Sequence, residues 1–150
     1  NINGNANGIL SCGTYATDKC IHIVCRDNKL KFCFFGDDYD GPNLLNYYNK
    51  SITIDCVYLN NYKYIYLNGE LYGKVGSGKL NIDENQELMV GGFSGDERLN
   101  GYLGELKIYN KALSSSEIII TIMPSLADVI FLGKNLKSTL ETLLSMIITS

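Results

Sequence analysis

Asp37, Asp38, Asp40 and Asn43, in the run GDDYDGPN, bring three carboxylates and a carboxamide close together. Oxygen donors at that spacing in a loop suit a hard cation, so Asp37, Asp38 and Asp40 are the expected ligands of a calcium ion. Tyr47 and Tyr48 follow a few residues later. Aromatic rings beside carboxylates and carboxamides are equipment for gripping sugars, because a ring covers the apolar face of a pyranose while oxygens take its hydroxyls. Asp38, Asp40, Asn43, Tyr47 and Tyr48 are therefore the expected ligand-binding set. The plainer alternative is a solvated acidic turn.

Other chemistry is harder to assemble. His22 is the single histidine, and it alternates with Ile21 and Ile23 as a strand residue does. A Ser-His-Asp or Cys-His arrangement would have to pass through it, and none is expected. The cysteines are Cys12, Cys20, Cys25, Cys33 and Cys56, an odd number with no C-x-x-C. With one histidine, zinc is not supported. They read as buried thiols, with Cys12 and Cys20 the pair to test for a disulfide. The odd count leaves an intracellular location open. Asp96, Glu97 and Arg98 read as a solvated charged turn, and the triplet Asn49-Lys50-Ser51 matters only if the protein is secreted.

These residues need a frame. The chain has 150 residues, enough for one domain with an ordinary core. A net charge of −3 argues against nucleic acid as a partner. No apolar run reaches the ~20 residues of a membrane span, and the most apolar stretch, 118–132, is interrupted by Pro124 and Asp128. Short runs alternate with period two: Ile21 to Cys25, Leu30 to Phe34, Ile52 to Asn60, Glu87 to Gly92 and Tyr102 to Tyr109. Cys25 and Cys33 fall on opposite faces of the Asp27-Asn28 hairpin. Asn68-Gly69 marks a two-residue turn pairing Leu67 with Glu70, Tyr66 with Leu71 and Ile65 with Tyr72. Tyr64, Tyr66, Leu71 and Val75 are then expected on the core side. Ser114 and Glu117 stand at the spacing of a capping box that opens a short helical turn.

Three of these stretches carry a resemblance: IHIVCRDNKLKFCFFGDD, KYIYLNGELYGKV and GYLGELKIYNKALSSSEI, in that order. Together they resemble the laminin G-like, concanavalin A-like jelly rolls, over roughly residues 9 to 120. The resemblance implies an all-β, two-sheet antiparallel sandwich. It also implies that one or two strands belong ahead of the matched part, so the sandwich, residues 1–120, reads as incomplete at its N-terminus. The strand equivalent to Leu103–Tyr109 usually pairs with one of those early strands. Something is expected to cover the edge left open: residues 1–12, the run 118–122 or a neighbouring molecule. Residues 121–150 read as a linker and helical tail. Leu136, Leu140, Leu143, Leu144, Ile147 and Ile148 recur at helical spacing after the box Ser138-x-x-Glu141, so an amphipathic helix is expected over about Lys137 to Ile148.

For function, the resemblance implies a non-catalytic recognition module that binds carbohydrate or a protein through rim loops, calcium included. It favours an extracellular or cell-surface setting within a larger protein. A structural or assembly domain, self-associating through an edge strand or the tail, is the rival reading. A glycoside hydrolase comes third. The related glucanases set paired carboxylates on one strand, and in NIDENQE Asn81 stands where the first should be, before Asp83 and Glu87.

Overall fold

The computed structural model describes residues 6–93, 97–121 and 142–149. The strands are β1 (Asn7–Gly13), β2 (Cys20–Arg26), β3 (Lys29–Cys33), β4 (Asp38–Asn43), β5 (Ile52–Leu59), β6 (Tyr62–Leu67), β7 (Glu70–Gly76), β8 (Leu88–Val90), β9 (Gly92–Phe93), β10 (Glu97–Arg98), β11 (Tyr102–Tyr109) and β12 (Thr142–Thr149). A 3-10 turn at Leu45–Tyr47 follows β4, and α1 spans Ser115–Thr121. Two five-stranded sheets have the orders β4-β3-β2-β1-β8 and β11-β12-β5-β6-β7, and every pairing is antiparallel. Ile23, Leu30 and Phe32 of the first sheet, with Phe34 just beyond β3, pack with Ile52, Ile54, Cys56 and Ile65 of the second. The molecule is therefore the expected all-β sandwich.

Local chemistry explains the joints. Asp27 and Asn28 both take positive φ, as a type I′ turn requires, and set Cys25 opposite Leu30. Asn68 and Gly69 do the same between β6 and β7. At α1, the Ser114 hydroxyl accepts the Glu117 N–H at 3.3 Å and Glu117 Oε2 accepts the Ser114 N–H at 2.8 Å, the expected capping box. All five cysteines are buried and free, with Cys25 and Cys33 on opposite faces. Burial pushes the Cys33 thiol up to about 12 and holds the Cys25 and Cys20 thiols near 11.

The β6–β7 hairpin has the reverse of the expected facing. Lys63, Ile65 and Leu67 turn inward, while Tyr66 packs on the far side with Val57, Leu113 and Ile118. A bulge causes the rest of the difference: Tyr66 pairs with Leu71, but Ile65 pairs with Gly73 rather than Tyr72. A Cβ on Gly73 would lie 2.7 Å from the Tyr39 hydroxyl, so a larger residue there would require the Tyr39 side chain to shift.

The inward Lys63 is fully buried and crosses the core. Its ammonium lies 3.2 Å from Asp37 Oδ2 and 4.0 Å from the centre of the Phe34 ring, and it donates to the Asp37 carbonyl. Burial lowers the Lys63 pKa against the pull of Asp37. Burial alone would raise the Asp37 pKa, but bonds from Ser77 and Gly78, 2.6 Å each, and the Lys63 charge bring it below the usual carboxylate range.

The tail is a strand over the part that is described. β12 inserts between β11 and β5, pairing Leu106 with Met146 and Met146 with Ile54. This corrects the expected helix over Lys137–Ile148, of which residues 137–141 lie outside the described residues. The run TLLSMIIT has apolar residues at both odd and even positions, so it shows no clean alternation and over a short run imitates helical spacing. Register sets Leu144, Met146 and Ile148 opposite Cys56, Ile54 and Ile52. The edge of β11 expected to need a cover is filled by this strand. β1 is an inner strand of the first sheet, between β2 and β8.

Candidate functional site

Strand alternation sets up one row across the outer face of the first sheet. Met89, Ser11, His22, Cys33 and Asp38 are paired in register from β8 to β4. His22 is nonetheless buried, because the short β9–β10 ribbon folds over this face. Gly8 permits the approach: a Cβ there would sit 2.6 Å from the Glu97 carbonyl oxygen and 2.8 Å from the Phe93 nitrogen. The Phe93 ring stacks on the imidazole at 3.7 Å and 15°. Glu97 Oε1 accepts from Arg26 Nη2 at 2.5 Å, and its Oε2 lies 3.3 Å from His22 Nε2. Burial lowers the His22 pKa to about 4, against the pull of Glu97 and with help from Arg26. The imidazole is therefore neutral at neutral pH, and the Glu97 contact is not an ion pair there.

The aromatic contacts continue outward. Tyr15 meets Phe93 edge-on at 4.8 Å, and Phe35 tilts against Tyr15 at 5.9 Å. Tyr15 is 53% exposed and Phe35 40%. Phe35 holds a φ of 57°, an outlier for a bulky side chain, at the tip between β3 and β4. Such strain persists where the surroundings over-determine it, and here it sets an aromatic ring in solvent.

Beside this run lies an open cleft of about 520 Å³ between residues 11–15 and 85–89, with Phe93 in its wall. Thr14, Asn85, Gln86 and Glu87 supply polar groups. Among the described residues no lysine or arginine lines it. The combination of a ring platform and acceptor and donor groups suits a ligand with one apolar face and many hydroxyls.

The acidic run takes another form. It is not a loop: Asp38–Asn43 is the edge strand β4, where Pro42 is tolerated. Asp37 is engaged by Lys63, Ser77 and Gly78, and Asp40 by Lys31 at 2.7 Å. Asp38 stands opposite Cys33. Asn43 Oδ1 accepts the Leu45 N–H at 2.9 Å, and Tyr47 packs against the core. Among the described residues no group of three acidic, histidine or cysteine side chains converges as a metal site would. Tyr47 and Tyr48 lie on the far side of β4 in sequence and do not line the cleft.

The stretch 81–87 is not a strand, so Asp83 and Glu87 do not share a strand face. Asp83 is bound by Lys19 at 2.9 Å, and Glu87 lines the cleft. Ser11 pairs with His22 in register, but its hydroxyl donates to the Gly92 carbonyl at 3.1 Å. Tyr15, Phe35, Phe93 and Glu97 were not legible as a group. Glu97, expected in a solvated turn, is half-buried against Arg26. The one available signal was glycine at Gly8 within a strand, which marks close approach of another backbone.

Residues 47–119 match the laminin G-type model of the concanavalin A-like lectin/glucanases superfamily. The match covers the second and third of the sequence stretches that carry the resemblance, and this region is laminin G-like. No curated protein and no solved structure matches the chain.

Proposed function

We propose that this laminin G-like, concanavalin A-like module is a non-catalytic recognition domain that binds carbohydrate in the cleft beside Tyr15 and Phe93. The observation that carries the reading is the run Phe35–Tyr15–Phe93, exposed at its outer end and flanked by Asn85, Gln86 and Glu87. A sugar ring laid on Tyr15 would find hydroxyl partners on the opposite wall. The family match supports a carbohydrate- or protein-binding role at the coarser level.

A glycan array with the intact chain, followed by calorimetry on the best binder, tests this. Tyr15→Ala is expected to weaken binding about two- to tenfold, since a stacked ring contributes on the order of 0.5–1.5 kcal/mol. The melting temperature should hold, because Tyr15 is exposed. Binding indifferent to Tyr15→Ala but lost in Asp40→Ala or Asn43→Ala would move the site to β4. The absence of glycan binding would favour the assembly reading, for which the feature to examine is β7. That strand closes one side of its sheet and exposes Leu71 and Tyr72.

A further inference from the structure

We infer that the cleft selects uncharged hexopyranoses and rejects sulfated, sialylated and uronate-bearing glycans; this rests on the carbohydrate reading of the same cleft. The argument is one of charge. Among the described residues that line it, Glu87 is the single charged side chain, and it is exposed. A sulfate or carboxylate bound there would lose water, meet no cation among the described lining residues and experience the charge of Glu87. The cations within reach in sequence are already engaged: Lys19 by Asp83 at 2.9 Å and Arg26 by Glu97 at 2.5 Å.

What remains suits a neutral sugar. A carboxylate is an acceptor-only group with two oxygens, so Glu87 can take both hydroxyls of a vicinal diol. Charge-assisted hydrogen bonds of that kind are the stronger ones. Asn85 and Gln86 offer both donors and acceptors, which match hydroxyls and ring oxygens without preferring an anion. Tyr15 and Phe93 supply the apolar floor.

The test compares neutral hexose oligosaccharides with sulfated and sialylated forms of the same backbones, using the intact chain at low and physiological salt. Neutral forms are expected to bind at least tenfold more tightly than their acidic counterparts. Glu87→Gln should narrow that ratio, by weakening the neutral ligand and relieving the acidic one, and Glu87→Lys should reverse it. Thermal melts of both variants establish that they are folded. Preferential binding of sulfated or sialylated glycans, abolished by Tyr15→Ala, would overturn charge selection while leaving carbohydrate recognition intact. Failure of every glycan at millimolar concentration would overturn both.

Discussion

Each sheet of the sandwich has its outer face covered by a short passing segment, and the two covers are built from opposite materials. Over the second sheet, α1 sets Ile118 against Val57, Tyr66 and Leu113, a mainly apolar cluster whose Tyr66 hydroxyl meets Ser115 at 3.4 Å and whose charged groups lie in the exposed cap. Over the first sheet, the β9–β10 ribbon sets a phenylalanine on a buried histidine and ties a half-buried glutamate to an arginine. The first kind of cover is held by area removed from water, and acid leaves that term unchanged. The second contains a titratable group under a ring, and the exposed aromatics and the cleft adjoin it. A cover that only has to close is made dry; the one beside the candidate site is polar.

Cutting the dry cover should have the largest effect. Ile118→Ala removes a fully buried side chain and is expected to cost about 3 kcal/mol, or roughly 10 °C in melting temperature. Glycan affinity should be unchanged at a temperature where the variant is folded. A loss of affinity equal to that of Tyr15→Ala would show the two covers to be coupled.

Acid should act on the other cover. Burial holds the folded His22 near 4 against 6.5 for the free side chain, so between those values the unfolded state takes up a proton that the folded state refuses. Stability is therefore complete above pH 6.5 and falls toward pH 4, by about 2 kcal/mol at pH 5. Thermal melts from pH 7 to 5 measure this, and His22→Gln should flatten the slope. An unchanged slope would assign the pH dependence to another group.

A smaller effect separates the covers in pH. The Lys111 ammonium, then the Ser114 backbone and hydroxyl bonds, lower the Glu117 pKa to about 2. The cap of α1 contributes stability that is present above the ordinary carboxylate pKa and lost as pH falls through about 2. Glu117→Gln is expected to lower the melting temperature at pH 7 by less than Ile118→Ala does, with the difference closing at pH 2. Smallest of all is calcium. Asp37 and Asp40 are committed to Lys63 and Lys31, so millimolar calcium should move the melting temperature by less than about 1 °C. A larger shift, lost in Asp40→Asn, would restore β4 as a metal site.

What could be read from the chain was whatever its local chemistry decides. Asn68-Gly69 and Asp27-Asn28 make their turns because few other pairs accept positive φ. Ser114 and Glu117 cap α1 by spacing alone. The facing of β6 was lost because Lys63 looks like a surface residue, and its partner Asp37 is far away in sequence. The tail was misread because TLLSMIIT carries apolar residues at adjacent positions and shows no clean period of two. The site escaped for the same reason of distance: Tyr15, Phe35 and Phe93 meet only after three separate hairpins and loops have closed.

The placement of β12 has a consequence for the order of events in folding. Among the described strands β11 has one neighbour, and that neighbour comes after it in the chain. β5 must likewise hold one side unpaired until Tyr58 meets Thr142 and Ile52 meets Ile148. During synthesis the chain thus carries two incomplete β-edges while most of its core is already available, and pairing between strands so far apart in sequence is intrinsically slow. The period of exposure ends with one late zipping step that joins both edges together. Pulse-labelled hydrogen exchange should find the amides of β11 and β5 protected in the same kinetic phase, after those of β2 and β3.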